Sequence, residues 1–188
     1  MKYTPFELEK MLDSMVVLVD TREQPGARFD KRMEMLGCPY KRQKLDFGDY
    51  SAKYTHVNDG EILLDKSIAI ERKMDLNELA ACFGKERKRF EREFQRAKDA
   101  GASLYLIIEE DNWEKAYSGK YGKSERFRSR LNPKAMVASI NAWEQRYDLH
   151  VRFCKAETTG RMIHDILRYH LKEILQTESS DEAEDRDG

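Results

Sequence analysis

The chain of 188 residues is as informative in what it lacks as in what it holds. It has three cysteines, Cys38, Cys82 and Cys154, far apart and odd in number. That spacing excludes a disulfide framework and a zinc ribbon, and fits reduced core thiols of a cytoplasmic protein. No run of 18 apolar residues occurs, so no membrane span is expected. Residues 1–10 alternate charged and apolar positions and carry no signal-peptide core. His56, His150 and His164 have no ligand-like spacing, and His170 falls on an apolar helix face, where a packed core histidine is expected; none is assigned to chemistry. An Asp46-Phe47-Gly48 triplet invites a kinase reading. The chain has neither the glycine-rich phosphate loop nor the His-Arg-Asp loop that kinase chemistry needs, so that reading is excluded. No internal repeat is visible.

What is present is charge, at 37% of residues, and it is unevenly placed. From Glu178 to Asp187 there are six acids and one arginine, leaving 33 basic and 29 acidic groups in residues 1–176, a balance of +4. The body is mildly basic. Residues 177–188 are expected to form a disordered acidic tail, and residues 1–176 one folded domain.

Periodicity predicts an alternation of strands and helices. Helices are expected over 5–13, 29–36, 75–82, 85–100, 133–147 and 158–176, and strands over 15–19, 40–45, 50–54, 61–65, 67–70, 104–108 and 149–153. The run Met15-Val16-Val17-Leu18-Val19 reads as a strand buried on both faces and ends in Asp20-Thr21-Arg22-Glu23. In open α/β sheets, ligand chemistry collects at such strand ends. Asp20, Asp49 and Glu71 each stand at a strand border, and three acids on separate elements can converge on one metal.

The stretch Ile68-Ala69-Ile70-Glu71-Arg72-Lys73 organises the rest. Residues i and i+2 of a strand face one side, so Glu71 and Lys73 point together and Arg72 points away. A carboxylate beside an ammonium suits metal-assisted phosphodiester hydrolysis, the first holding a divalent cation and the second steadying phosphate or water. A solvated strand end is the plainer alternative.

Two segments suit a nucleic-acid backbone. On the helix over 85–100, Lys85, Arg87, Lys88, Arg89, Arg92, Arg96 and Lys98 lie away from an apolar face of Phe83, Phe90, Phe94 and Ala97; intrahelical ion pairs are the alternative. Residues 116–132 read as a long loop. Lys120, Lys123, Arg126, Arg128 and Arg130 alternate there with Tyr117, Tyr121 and Phe127, a composition suited to phosphate neutralisation and base stacking.

Together, Val19-Asp20-Thr21-Arg22-Glu23, Gly48-Asp49-Tyr50 and Ile70-Glu71-Arg72-Lys73 resemble the nuclease domain of the XPF family, the excision-repair cross-complementing group 4 type of structure-specific DNA endonuclease. Twenty-one residues separate Asp49 from Glu71. The resemblance runs on through Leu79, Arg89-Phe90 and Tyr105-Leu106-Ile107-Ile108-Glu109 and covers about residues 15–155. It implies an α/β fold with a restriction-endonuclease-like (PD-(D/E)xK) core, a mixed central β-sheet flanked by α-helices.

It further implies dependence on Mg2+ or Mn2+, with Asp49 and Glu71 as metal ligands and Asp20 as a further acid. Lys73 would position or activate water; Arg22, Glu23 and Arg72 would orient these groups and contact phosphate, and Arg89 would contact DNA. The implied partner is branched, flapped or junction DNA, with a homodimer as the family expectation. A nucleoid association follows if the source is bacterial or phage. Departures are Asn77 where the family has an aspartate, Glu93 where it often has glutamine, and no tandem helix-hairpin-helix module. A compact stand-alone version is therefore expected, or else a DNA-binding partner subunit without chemistry.

Overall fold

In the computed structural model, which describes residues 2–120 and 131–184, one mixed sheet separates two layers of helices. The chain enters through α1 (Pro5–Asp13). Thr4 starts it with a capping box: its hydroxyl accepts from Glu7 N at 3.2 Å, and Glu7 accepts from Thr4 N at 2.8 Å. Strand β1 (Val16–Val19) follows, then α2 (Ala27–Glu34) and β2 (Tyr40–Arg42), which pairs with β1 in parallel. Strands β3 (Tyr50–His56) and β4 (Gly60–Leu63) form a hairpin, and β3 runs antiparallel to β1. Strand β5 (Ile68–Lys73) meets β3 at Tyr50–Ile70 only.

Helices α3 (Leu76–Phe83) and α4 (Arg87–Asp99) cross to β6 (Ser103–Glu109), parallel to β5. Helices α5 (Trp113–Ser118) and α6 (Pro133–Tyr147) lead to β7 (Leu149–Cys154), parallel to β6, and α7 (Ala156–Glu184) ends the described chain. The strand order is β2-β1-β3-β5-β6-β7, with β4 on the free part of β3.

Each face of the sheet carries its own core. Under α3, α4 and α6, Phe83 and Phe94 pack edge-on against Trp143 with centroids 4.5 and 5.1 Å apart. On the other face Ile68, Ile70 and Ile107 pack against Ile163, Leu167 and Leu171 of α7. Helix α7 lies so close to α2 that a Cβ on Gly160 would meet Arg32 O at 2.3 Å and Met35 Cβ at 2.8 Å. That close approach fixes α2, and with it Arg32.

Five expectations change. Strand β5 does not stop at Ile70: parallel pairing with β6 carries Glu71, Arg72 and Lys73 into the sheet opposite Leu106, Ile107 and Ile108. Strand β2 stops at Arg42, because the chain peels away to give Gln43 N to Val19 O and Leu45 N to Asp20. The tail is not disordered from residue 177: α7 continues to Glu184, with Ser179 buried and Glu178 Oε2 accepting from the Tyr3 hydroxyl at 2.8 Å. Residues 185–188 lie outside the described residues. Finally, Ala116–Ser118 belong to α5 rather than to a loop, capped by Asn112. His170 is half-buried, 3.2 Å from the Ser67 hydroxyl, rather than fully packed.

A candidate active site at the end of β5

The alternation along β5 sorts three charged side chains onto two faces. Glu71 and Lys73 share one face, both almost fully buried, with Lys73 Nζ donating to Glu71 Oε1 at 2.5 Å. The ammonium also stands 4.5 Å from the centre of the Phe90 ring. Asp49 joins them from the turn before β3. Its Oδ2 accepts from Arg72 N at 2.8 Å, and its own N donates to Ile70 O at 2.8 Å. The turn can lie this close only because residue 48 is glycine. Its φ is +71°, and a Cβ there would stand 2.9 Å from Ala69 Cβ and 3.2 Å from Ile70 O.

Burial pushes the carboxyl groups of Asp49 and Glu71 above their usual range. The neighbouring carboxylates, Glu71 for Asp49 and Glu93 for Glu71, push the same way, while Lys73 pulls back. Burial alone would lower Lys73, but Glu71, Cys82 and Asp49 outweigh it and hold the ammonium charged. Glu93, buried on α4, accepts from Gly48 N at 3.1 Å and lies 3.7 Å from Arg22.

Asp20 is placed at the site, and both its oxygens accept hydrogen bonds. Oδ1 accepts from Arg22 N and Nε, each at 2.7 Å, and Oδ2 from Leu45 N at 2.7 Å. Burial opposes ionisation, yet these donors together hold its carboxyl below the usual range. Its role in the structure is to aim Arg22, whose guanidinium is half exposed. Among the described residues no three His, Cys, Asp or Glu side chains stand together as a metal-binding group. Asp49 and Glu71 fit a divalent cation, since both are crowded and driven towards protonation. Asp20, with two donors on Oδ1 and one on Oδ2, keeps a lone pair on Oδ2 and stands beside them as a further acid.

Arg72 faces the other way and closes a ring of four charges. Glu23 lies 3.6 Å from Arg72 and 3.2 Å from Arg32; Glu109 lies 3.4 Å from Arg72 and 3.6 Å from Arg32. Arg32 also donates to the Tyr50 hydroxyl at 2.5 Å. Among the described residues the buried Nε of Arg72 has no hydrogen-bond partner. A cleft of about 540 Å³ opens beside this ring, its wall including Arg22, Arg28, Asp49, Arg72 and Glu78. Glu71 and Lys73 do not line it.

The structure thus brings Asp20, Arg22, Glu23, Asp49, Glu71, Arg72 and Lys73 to one end of the sheet. Arg89 stands on α4, exposed, 2.7 Å from Glu86 and over the Phe90 ring that Lys73 touches. Lys120 is exposed after α5. The expected DNA contacts Lys123, Arg126, Arg128 and Arg130 lie outside the described residues.

Sequence reasoning missed Arg32, Tyr50 and Glu93 as site residues and took Glu109 only as a strand end. The spacing Phe29-Arg32-Met33-Leu36 does hold a signal for Arg32, since it puts a cation on the buried face of α2.

Comparison with known proteins supports this fold. The model of the ERCC4 domain matches residues 19–166. Two solved structures of XPF from Aeropyrum pernix, one of them in complex with DNA, align with a TM-score of 0.57 and 21% identity. They cover 81% and 84% of this chain, which spans 65% and 66% of theirs, just under two thirds. No curated protein matches the chain. The fold is that of the restriction-endonuclease-like ERCC4 domain, a mixed central sheet flanked by helices. Among the described residues no helix is long and apolar enough to cross a membrane.

Proposed function

This chain belongs to the ERCC4-domain family, and on that premise we propose that it is a divalent-metal-dependent DNA endonuclease. Its reaction is hydrolysis of phosphodiester bonds at branched, flapped or junction DNA. The observation that carries the proposal is the grouping of Asp49 and Glu71, both pushed towards protonation by burial and crowding, beside a lysine held charged. Two buried carboxylates in this state are relieved by a cation, and asparagine or glutamine would serve as well if packing alone were needed.

Asp49 and Glu71 would hold Mg2+ or Mn2+, which supplies Lewis-acid polarisation of the phosphate and a more acidic bound water. The protein's own groups do the rest. Lys73 Nζ, donating to Glu71 Oε1, is placed to orient or activate water and to meet the developing negative charge. Arg22, aimed by Asp20 and half exposed on the cleft wall, contacts the scissile phosphate. Arg72 N holds one Asp49 oxygen in place, and the ring of Glu23, Arg32, Arg72 and Glu109 keeps that strand end rigid.

Cleavage of a labelled panel of flap, splayed-arm, nicked-junction, duplex and single-stranded DNA tests this, with Mn2+, Mg2+ or EDTA. Metal-dependent cutting of branched substrates, lost in Asp49→Ala, is the expected result. Binding without cutting under every metal would replace the proposal with that of a DNA-binding partner subunit.

A further inference from the structure

The cations of α4 are not equivalent, and the structure sorts them. Arg87 pairs with Glu91 at 2.8 Å, Arg146 of α6 reaches the same Glu91 at 3.3 Å, and Lys98 donates to Arg146 O at 2.6 Å. Those cations stabilise the helix and its neighbour. Lys85, Lys88 and Arg92 are exposed and, among the described residues, form no ion pair. Lys88, Arg92 and Arg96 follow one another at four-residue spacing along α4 and form a row on its surface, with Arg89 at its flank and Lys85 in the turn just before the helix.

From Lys88 to Arg96 the row runs eight residues along the helix, about 12 Å at the rise of an α-helix. At its start Arg89 and Lys73 share the Phe90 ring, so the row begins beside the candidate active site. At its far end Arg96 donates to Asp46 O at 2.9 Å, where Lys44 and Lys66 also lower the Asp46 carboxyl. The charge therefore continues past the helix.

We propose that this row is a track for the phosphate backbone of a duplex DNA arm leading away from the active site, with Lys85, Lys88 and Arg92 each neutralising one phosphate. It rests on the endonuclease reading above and adds where one arm of the substrate lies. A row of free cations beside the site complements a polyanion, and pairing them would need only the acids found elsewhere on the same helix. Single-stranded DNA is bound by cations interleaved with exposed aromatics. Both aromatics of α4, Phe90 and Phe94, are buried, so the track reads backbone and not bases.

The test is equilibrium binding of a fluorescent blunt duplex in EDTA over a range of KCl, which needs no cleavage. In duplex DNA each neutralised phosphate contributes about 0.9 to the slope of log K against log salt. Lys85→Gln/Lys88→Gln/Arg92→Gln should flatten that slope by about 2 to 3 and weaken binding roughly 100-fold near 0.1 M salt. Arg87→Gln/Lys98→Gln should leave slope and affinity at wild-type values, and the charge-keeping Lys85→Arg/Lys88→Arg/Arg92→Lys should restore both.

A wild-type slope in the neutralised variant, with thermal unfolding unchanged, would overturn the track. Loss confined to a single-stranded probe would overturn the duplex assignment. Failure of the endonuclease reading would instead appear as no cutting by wild type in any metal, whatever the salt slope.

Discussion

The two faces of β5 carry buried charge in opposite states. Behind the strand end, two arginines and two glutamates close a ring in which each carboxylate touches both guanidiniums, a formal balance of zero. In front of it, Asp20, Asp49, Glu71 and Glu93 face Arg22 and Lys73: four carboxylates against two cations, a formal −2 when all are ionised. One side has satisfied itself. The other is short of the charge that one divalent cation brings. Protonation of the crowded carboxyls removes such a deficit, and on the endonuclease reading proposed above a divalent cation does so as well.

Breaking the deficient side should cost activity and spare the fold. Glu71→Gln should lower cleavage at least about 1,000-fold, the several kcal/mol that metal-ion catalysis supplies. Metal-free unfolding at neutral pH should be as stable as wild type or more so, because one crowded charge is gone. Breaking the balanced side should do the reverse in order of cause. Arg32→Met leaves Glu23 and Glu109 with only Arg72, and denaturant unfolding should show a loss of about 3–5 kcal/mol, as for a buried ion pair deprived of one partner. If Arg32→Met unfolds like wild type, the distinction between the two faces is wrong.

Smaller in effect is the turn that joins the faces. Gly48→Ala must place a Cβ at φ +71° against Ala69 and Ile70, and should cost roughly 1–2 kcal/mol from the left-handed backbone alone, with a further loss from the contact. Because Asp49 follows directly, weaker metal dependence of cleavage should accompany it.

The pH response is the gentlest probe. Asp49 and Glu71 have folded pKa values raised above the unfolded ones, so their ionisation destabilises the metal-free fold. Stability should rise as pH falls from above the raised values towards the ordinary carboxylate range near 4, where the penalty is gone. Asp20 is depressed and acts oppositely: its contribution is present above the unfolded pKa and lost as pH drops through the folded one. Asp49→Asn should flatten the first trend, measured by thermal unfolding from mildly alkaline to acidic pH, and leave the acid loss untouched.

Much of this was legible in local sequence. Thr4-Pro5 and Asn132-Pro133 mark helix starts that the structure keeps at Pro5 and Pro133, because caps act within one turn. The alternation through Glu71-Arg72-Lys73 told which residues share a face, because strand periodicity is local too. What was not legible depends on docking. Arg32 reaches Glu109 only because Gly160 lets α7 press α2 against the sheet, and those residues are far apart in sequence. Nor did the sequence tell that Arg22 and Leu45 would turn three donors on the Asp20 carboxylate, since Leu45 arrives from another element. The acidic composition of residues 177–188 hid the contacts of Glu178 and Ser179 with Tyr3, which carry α7 onward.

Calorimetric titration of Mn2+ into the DNA-free protein tests the central claim most directly. Saturable binding in wild type, lost in Asp49→Asn and in Glu71→Gln but kept in Glu23→Gln from the balanced ring, is the predicted result. No binding in wild type, or equal binding in all four proteins, would contradict it.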